Sequence, residues 1–311
     1  MFSKITLVVN PVSANRTTGK EWSQIAGKLK SIIGDFKWEF TTGPDTAPAI
    51  VRKALKAGTD IIVAVGGDGT LNEVVNGFFE EGRSINPQAS LGVIARGTGT
   101  DFIKTAKIPK DLDEAAKLIA EGMTKRIDVG RATFKGHSGK ELTRYFLNIA
   151  DFGIGGETVA RVNRTTKAFG GFLSFLWGAT VTILMWKNKR VRLQIDDGPV
   201  EEKIVQNVVV ANGQYFGGGM WVAPKAELSD GLFDIVIFGD ISRGQSLRDG
   251  TRIYKGTHLE MDKVSCVRGK KVMAFSEERV LIDMDGEQPG ILPATFEMVP
   301  DSLSIIYKGV L

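Results

Sequence analysis

A glycine-rich turn between an apolar strand and a helix is the feature that most limits how this chain can fold. Residues 66–70 (Gly-Gly-Asp-Gly-Thr) follow the apolar stretch 60–65 and lead into a pattern of helical period over 71–79. Glycines let backbone N–H groups approach a ligand, and a helix N-terminus carries partial positive charge. The turn therefore predicts a phosphate site. Because a carboxylate beside phosphates needs a cation between them, Asp68 is predicted to bind Mg²⁺ directly or through water.

The same succession of strand and helix recurs over the first 129 residues. Apolar strands are predicted at 5–9, 37–40, 61–65 and 91–95, and the helical spacing of 22–33 is stopped by Gly34. Such alternation implies right-handed crossovers, a mainly parallel sheet, and ligands outside the carboxyl ends of its strands. We therefore expect a Rossmann-like α/β domain over residues 1–129.

The sequence pattern changes after Gly130, where short runs of β-branched residues are separated by Gly and Asp. The predicted strands lie at 144–149, 190–195, 204–211, 233–238, 272–275 and 280–284. This pattern indicates a second, mostly antiparallel, β-rich domain over 130–302. Residues 303–311 form either a last strand or a return to the first domain.

Two more loops follow predicted strands of the first domain. Residues 96–102 (Arg-Gly-Thr-Gly-Thr-Asp-Phe) follow one strand, and residues 10–13 (Asn-Pro-Val-Ser) follow the first. Arg16 and Lys20 are close enough in sequence to reach a polyphosphate, or they are exposed residues of a helical turn. The chain lacks the P-loop pattern and the complete Gly-x-Gly-x-x-Gly fingerprint, so an ordinary P-loop enzyme and a nicotinamide-dependent dehydrogenase are disfavoured.

A carboxylate cluster at residues 283–287 (Asp-Met-Asp-Gly-Glu) follows a predicted strand. In a strand Asp283 and Asp285 would share a face, whereas the glycine turn could re-aim Glu287. Phosphoryl transfer to an alcohol needs a base for the hydroxyl proton, which a carboxylate here could supply. The alternative is a surface hairpin turn.

Composition narrows the class of protein. A single cysteine, Cys266, excludes an intramolecular disulfide framework and cysteine-rich zinc sites, and it suits a reducing cytoplasm. The formal net charge of +4 suits anionic partners, but the basic residues are scattered and do not indicate nucleic-acid binding. Residues 169–186 carry no charge, which favours a packed helix with one face near lipid over a membrane span. The cations at 187–192 could then meet anionic head groups, or form a solvated strand.

Taken together, these motifs resemble the bacterial diacylglycerol kinase and related lipid kinase family, which shares its catalytic region with sphingosine and ceramide kinases. The resemblance spans nearly the whole chain. The matching segments are 66–77, Asn10-Pro11 with Ser13, Gly97-Thr98 with Asp101-Phe102, 229–234 and 285–287. Two departures are the Gly99-Thr100 pair before Asp101, and Ala14-Asn15 in place of the glycine common after Ser13.

The resemblance implies roles for particular residues. Asp68 and Asp101 would belong to the catalytic Mg²⁺ network, with Asp128 a further candidate, and Glu287 or Asp285 would accept the proton of the lipid hydroxyl, with Glu287 favoured. Asp230, with the backbone carbonyl of Leu232, would hold a second, structural metal. The implied ATP site consists of Asn10, Pro11, Val12, Ser13, Ala14, Thr41, Gly67, Asp68, Gly69, Thr70, Leu71, Asn72, Glu73 and Thr98.

The sequence therefore predicts a cytoplasmic, peripherally membrane-associated kinase that transfers the γ-phosphoryl group of ATP to diacylglycerol or a similar lipid, at a site between its domains. Rival interpretations are an NAD kinase and a nucleotide-binding regulatory module without turnover. The acceptor lipid stays open, as does the oligomeric state, including a homodimer. The acyl chains of a lipid need an apolar groove. The side chains best suited to line it are those of Phe169, Phe172, Leu173, Phe175, Leu176 and Trp177.

Overall fold

The computed structural model describes residues 4–97, 99–164 and 171–308 and divides the chain into two compact units. The first unit contains the chain up to Asp128 and again from Pro300 onward. The second unit contains Val129–Val299. The chain thus leaves the first unit inside one strand and re-enters it inside its last strand.

The first unit alternates strands and helices. Its strands are β1 (Ile5–Val9), β2 (Lys37–Phe40), β3 (Ile61–Gly66), β4 (Phe79–Glu80), β5 (Arg83–Ser84) and β6 (Ser90–Ala95). Its helices are α1 (Ser13–Lys20), α2 (Trp22–Ile33), α3 (Ala47–Lys56), α4 (Asp68–Gly77), α5 (Asp101–Ala106) and α6 (Leu112–Glu121).

Four of these strands form a parallel sheet in the order β2-β1-β3-β6. Every residue of β1, β3 and β6 is buried, as expected for parallel strands covered on both faces, whereas β2 is an exposed edge. Since β2 and β3 lie on opposite sides of β1, the winding direction reverses beside β1. A reversal of this kind opens a crevice outside the carboxyl ends of the strands, where ligands of α/β folds bind.

The second unit is rich in antiparallel strands. Its strands are β7 (Thr124–Gly136), β8 (Glu141–Phe146), β9 (Ile149–Gly153), β10 (Lys189–Ile195), β11 (Glu201–Val205), β12 (Asn207–Ala211), β13 (Tyr215–Phe216), β14 (Met220–Trp221), β15 (Phe233–Phe238), β16 (Val264–Gly269), β17 (Lys271–Phe275), β18 (Leu281–Met284) and β19 (Glu287–Ile306), of which β7 and β19 extend into the first unit. Its helices are α7 (Ile154–Arg164), α8 (Gly171–Met185), α9 (Arg243–Asp249) and the 3₁₀ helices Gly250–Lys255 and Thr257–Glu260.

The main antiparallel succession of this unit is β16-β15-β12-β9-β18-β19. Its core contains four fully buried phenylalanines: Phe146 stacks on Phe233, and Phe152 stacks on Phe296. The parallel first unit and the antiparallel second unit confirm the predicted fold class.

Three local predictions are wrong. The run 204–211 is divided at Gln206, whose backbone N–H turns to the carbonyls of Phe238 and Gly239. The run 144–149 is divided at residues 147 and 148, whose amides donate to Asp285. Asp285 does not share a strand face with Asp283, because β18 ends at Met284 and Asp285 lies in a turn with φ of 51°.

The end of the chain belongs to the parallel sheet of the first unit. Strand β19 ends at Ile306, and Ser304 and Ile305 pair with β6 in parallel. The hydroxyls of Ser90 and Ser304 lie 3.0 Å apart in the buried sheet. Backbone pairing and this hydrogen bond therefore join the last strand to the first unit.

Candidate active site

Three loops meet at the carboxyl edge of the parallel sheet. The loops after β1, β3 and β6 begin at Asn10, Gly67 and Arg96. Backbone hydrogen bonds tie each loop to the neighbouring strand end, from Asn10 N to the Val65 carbonyl at 2.9 Å and from Arg96 N to the Gly66 carbonyl at 2.7 Å. Both glycine turns that the sequence singled out therefore lie side by side at the edge where α/β folds bind ligands.

Glycine is required at two positions of this edge because a side chain would collide with the backbone of Gly67 at one position and with the side chain of Thr70 at the other. A Cβ atom built on Gly97 would lie 2.6 Å from Cα of Gly67, and one on Gly66 would lie 2.4 Å from the Thr70 hydroxyl oxygen. Contacts this short force the chain to move. Gly67 is extended (φ −94°, ψ −171°) and immediately precedes the first turn of α4, whose amides have no intrahelical partners. The turn thus has the form of a phosphate cradle.

The first loop is joined to α4 by side chains that the resemblance assigned to the ATP site. Asn10 Nδ2 donates to the Thr70 hydroxyl at 2.9 Å, and Asn10 Oδ1 accepts from the Val12 amide at 3.1 Å. The Ser13 hydroxyl donates to the Asn10 carbonyl at 2.8 Å. The structure therefore brings Asn10, Ser13 and Thr70 together. Val12 itself is 61% exposed, and Pro11 is half-buried.

Ala14, Asn15 and Arg16 are left-handed, with φ of 50°, 56° and 68°. Non-glycine residues rarely adopt this conformation, which costs about 1–2 kcal/mol each for most side chains. The departure noticed in the sequence, Ala14-Asn15 in place of glycine, therefore falls where the backbone favours glycine.

Arg96 begins the second predicted turn, but the sequence gave no sign of its contacts. Its guanidinium donates to Glu21 at 2.8 Å and to the hydroxyls of Thr17 and Thr18 at 3.2 and 3.3 Å. The hydroxyl oxygens of Thr18 and Ser13 are hydrogen-bonded to each other at 2.8 Å. Arg96 thus links the loop after β6 to α1, and the only signal in the sequence was its place at a strand end.

Asp68 and Asp101 also lie close together. The Asp101 backbone N–H donates to Asp68 Oδ2 at 3.2 Å, and a Cβ on Gly99 would lie 3.0 Å from the same oxygen. Gly99 therefore lies within contact distance of the Asp68 carboxylate. The Asp101 carboxylate is almost fully buried and forms an ion pair with Lys104 at 2.8 Å, which the i,i+3 spacing could have suggested.

These carboxylates can be tested for their fit to a magnesium ion. Carboxylate oxygens are the ligands that Mg²⁺ prefers, and one or two carboxylates together with substrate phosphates suffice for it. Asp68, in the half-buried first turn of α4, meets this requirement, whereas Lys104 already balances the charge of Asp101. No cluster of three or more potential metal-binding side chains occurs in residues 4–97, 99–164 and 171–308. The donor set therefore fits a cation shared with a phosphate ligand.

Glu73, another predicted ATP-site residue, lies in α4 and caps the preceding helix, α3. Its carboxylate accepts the amides of Asp45 at 3.0 Å and Ala47 at 3.2 Å, at the beginning of α3. Negative charge is favourable at a helix N-terminus. This contact depends on the packing of α3 against α4, which the local sequence does not reveal.

The other predicted binding residues have more ordinary environments. Thr41 is buried, and its amide donates to the Val9 carbonyl at 2.9 Å. Leu71 is a core residue, and the buried Asn72 accepts from Asn76 within α4. Gly69 lies in the first turn of α4. Thr98 lies outside the described residues.

Asp128 is the last residue of the first unit before the chain enters the second unit. It is 2% exposed, and its carboxylate accepts the Asp301 amide at 2.8 Å, where the chain re-enters the unit. Asp128 therefore fastens the segment with which the chain re-enters the first unit.

In the second unit, Asp285 and Gly286 form the two-residue turn of a hairpin. Met284 pairs with Glu287 across it, and φ is positive at both turn residues, 51° and 87°. Asp-Gly is the favoured sequence for such a turn. The Asp285 carboxylate accepts three consecutive amides, those of residues 147, 148 and 149, at 2.9–3.1 Å, while Glu287 is exposed.

The predicted structural metal at Asp230 does not fit the residues present. Asp230 Oδ1 accepts the Leu232 amide at 3.0 Å, and Oδ2 forms an ion pair with Arg268. Because a guanidinium already balances this carboxylate, no second cation is needed, and we derive no step from a metal here.

The apolar segment forms α8, which presents large side chains to solvent at its end. Trp177, Leu184 and Met185 are 71%, 51% and 65% exposed, and spacings of seven and eight residues put them on one face. Phe169 lies outside the described residues, as do the side chains of Phe172, Leu173, Phe175 and Leu176. In the described part of the chain, no helix is both long and apolar enough to cross a bilayer.

The first unit thus has a parallel α/β fold with glycine turns at the edge where such folds bind ligands, and comparison with known proteins identifies the class. Residues 4–132 match the diacylglycerol kinase catalytic domain. Residues 148–307 match the YegS C-terminal NAD kinase beta sandwich-like domain.

Individual relatives agree with these matches. A diacylglycerol kinase of Staphylococcus epidermidis is 30% identical over 301 residues, covering 95% of this chain and 89% of that protein. One from Bacillus subtilis is 27% identical over 291 residues, covering 93% and 91%. A crystal structure of a candidate diacylglycerol kinase from Bacillus anthracis str. Sterne has a TM-score of 0.77 and 28% identity, covering 99% and 96%. The chain belongs to the diacylglycerol kinase family and is a lipid kinase.

Proposed function

We propose that this kinase transfers the γ-phosphoryl group of ATP to a hydroxyl of diacylglycerol or a similar lipid, with Mg²⁺ as cofactor. The observation that carries the proposal is the glycine cradle at the carboxyl edge of the parallel sheet, in a chain that matches the diacylglycerol kinase catalytic domain. Diacylglycerol is the substrate named for the relatives from Bacillus and Staphylococcus.

In this proposal the first unit binds the nucleotide. The backbone amides around Gly67 and the start of α4 would accept the phosphates, and the Asn10–Thr70 hydrogen bond would keep the neighbouring loop in position. Asp68 would hold Mg²⁺, directly or through water, and Asp101 would support it through its amide. The bound ion would supply charge stabilisation for the transferring phosphoryl group.

Glu287 would accept the proton of the lipid hydroxyl. As the acceptor oxygen bonds to the γ-phosphorus, the bond from phosphorus to the β–γ bridging oxygen breaks, and ADP leaves with that electron pair. Asp285 is less suited to be the base, because three amide hydrogen bonds stabilise its ionised form and hold it in place. We therefore assign the base to Glu287 and the support of its turn to Asp285.

The exposed face of α8 would contact the lipid surface. Trp177, Leu184 and Met185 supply apolar area, and the exposed Lys187 and Arg190 follow directly. Aromatic and basic side chains together suit an anionic bilayer surface.

Trp177→Ala should weaken binding to phosphatidylglycerol vesicles about tenfold. Trp38→Ala, at a 46% exposed tryptophan of the first unit, is the matched control. Equal vesicle binding by wild type and Trp177→Ala would contradict this assignment.

The decisive experiment is incubation of the full chain with ATP labelled at the γ-phosphate, Mg²⁺ and a panel of acceptors. The acceptors are diacylglycerol, monoacylglycerol, phosphatidylglycerol, a sphingoid base, undecaprenol and NAD, and the products are separated into organic and aqueous phases. Labelled phosphatidic acid supports the proposal. A water-soluble labelled dinucleotide indicates an NAD kinase instead. Nucleotide binding without transfer to any acceptor indicates a regulatory module.

A variant tests the assigned base. Glu287→Gln should lower kcat at least 100-fold with nucleotide binding unchanged, the usual scale for a lost general base. The matched control is Glu277→Gln, at an exposed glutamate of the same unit that pairs with Arg192. Full activity of Glu287→Gln would refute the assignment.

A further inference from the structure

Two buried aspartates lie opposite each other beneath the turn that carries Glu287. Asp151 of β9 and Asp283 of β18 are directly paired in the antiparallel register. Asp151 is 0% exposed and Asp283 is 6% exposed. Side chains paired in this way point to the same face, with Cβ atoms about 5 Å apart. The sequence drew attention to Asp283 only as a member of the 283–287 cluster, and gave no reason to select Asp151.

This pair cannot be fully ionised inside the unit at neutral pH. Neither oxygen of Asp151 has a well-aligned hydrogen bond within the described part of the chain. A Cβ on Gly155 would lie 2.1 Å from Asp151 Oδ1, so the first turn of α7 packs directly on this carboxyl. Burial raises the pKa of Asp151 to about 7, although Asn207, Asp283 and the Gly156 amide act in the opposite direction. Burial, and then the charge of Asp151, raise the pKa of Asp283 well above its usual range.

A proton retained by the pair accounts for the burial of two facing carboxyls and for the lack of well-aligned hydrogen bonds at Asp151 in the described part of the chain. Two facing carboxylates in a buried site keep a proton between them, because a second negative charge there would be very costly. The shared proton makes one carboxyl a donor, which supplies the hydrogen bond that Asp151 otherwise lacks. The pair then carries at most one negative charge, which allows it to be buried.

Asp283 connects the aspartate pair to the turn. Asp283 Oδ1 accepts the Gly286 amide at 3.0 Å. Asp285, the first residue of the turn, accepts the amides of residues 147–149. The turn is therefore held from two sides, through Asp283 to β9 and through Asp285 to the segment between β8 and β9. Glu287 is the first residue after it.

We propose that Asp283 and Asp151 are positioning residues for the kinase reaction, which fix the Asp285–Gly286 turn through a shared proton and the Gly286 amide and so set the location of Glu287. The inference rests on the proposed function of Glu287 as the base. The pair does not touch the substrate in this scheme; it acts through Glu287.

Asp283→Ala removes both the shared proton and the acceptor for Gly286, and should lower kcat about 100-fold, the usual effect of displacing a catalytic group by about 1 Å. KM for ATP and for diacylglycerol should stay within about twofold. Asp283→Asn should recover kcat to within about threefold of wild type, because its amide keeps an acceptor for Gly286 and a donor for Asp151. An unchanged kcat in Asp283→Ala, or no recovery in Asp283→Asn, overturns the proposal.

The double variant Asp283→Ala/Glu287→Gln separates positioning from general loss of structure. If Asp283 acts through Glu287, the double variant should be no slower than Glu287→Gln alone. A further loss of kcat would mean that Asp283 acts elsewhere. Inactive Glu287→Gln with fully active Asp283→Ala overturns this inference alone. Fully active Glu287→Gln overturns the assignment of the base, on which this inference rests, whereas absence of transfer to any lipid acceptor overturns the proposed function itself.

A spectroscopic measurement on the wild type keeps the test valid if Asp283→Ala does not fold. Infrared difference spectra of wild type against Asp151→Asn/Asp283→Asn at neutral pH should contain the carbonyl band of a buried, protonated carboxyl group. Absence of this band overturns the shared proton. Elemental analysis of the same protein after chelation and dialysis provides the second readout, since a retained stoichiometric metal would mean that a cation, rather than a proton, joins the two carboxyls.

Discussion

Replacing Asp151 by asparagine should change how the stability of the protein depends on pH. The folded-state pKa of Asp151, about 7, is raised above the value of 3.8 expected for an unfolded aspartate. A raised pKa means that the folded state binds the proton more tightly, so this contribution to stability is fully present below pH 3.8 and is lost as the pH rises through about 7. Asparagine is neutral at every pH and removes the dependence.

The size of the effect follows from proton linkage. Between pH 5 and 7 the unfolded chain has released the proton of residue 151 and the folded chain still holds most of it, so the slope is about −1.4 kcal/mol per pH unit. Over this window the wild type should therefore lose roughly 2 to 3 kcal/mol more free energy of unfolding than Asp151→Asn does. His258, whose pKa burial lowers, has the opposite sign in this range. It is common to both proteins and cancels in the difference.

The assay is urea unfolding of both proteins at half-unit steps from pH 5 to 7, followed by circular dichroism. The control is Asp35→Asn, because Asp35 is exposed and Lys30 lowers its pKa, so that it titrates below this window. The control should reproduce the wild-type slope. Parallel stability curves for wild type and Asp151→Asn would refute the reasoning, since they would mean that Asp151 is ionised in the folded protein.

Three further predictions concern single contacts. Ala14→Gly should raise the free energy of unfolding by about 1 kcal/mol, because glycine relieves the left-handed conformation, whereas Ala54→Gly inside α3 should lower it by a similar amount; thermal unfolding checks both signs. Glu73→Ala should cost about 1 kcal/mol through the lost cap of α3, measured by urea unfolding, and an unchanged midpoint would contradict the capping role. Prolonged chelation should leave the thermal midpoint unchanged, because Arg268 rather than a metal balances Asp230, while Arg268→Ala should lower it; a fall on chelation would restore the structural metal.

Much of the first unit can be predicted because its signals are local. Strand β2 occupies the predicted residues 37–40, and β3 and β6 extend the predicted strands by only a residue. Apolar runs of five or six residues have few alternatives to a buried strand in a chain where they alternate with helices. The second unit is harder, because antiparallel runs can break without a change of composition. The bend at Gln206 is set by hydrogen bonds to β15 and the residue after it, which only the folded chain supplies.

The candidate site divides in the same way. The glycine turns and Asp68 are readable from sequence because each follows its own strand directly. The contact of Glu73 with α3 and the link from Arg96 to Glu21 join residues 26–28 and 75 positions apart, and they depend on packing. Asp151 is the extreme case. It lies in the apolar strand β9, and its importance comes from a register that places it opposite a residue 132 positions later.

The segment Asp283–Glu287 shows how one short sequence can give three carboxylates three different chemistries. Asp283 points into the unit and meets Asp151, so the two share a proton. Asp285 turns back through a left-handed residue and receives three amides, which favour its ionised form and immobilise it. Glu287 follows the turn and is exposed. A base must be ionised, accessible and held in one place. Glu287 meets the requirement of access. The other two carboxyls meet the requirement of position, because they hold the turn that precedes Glu287.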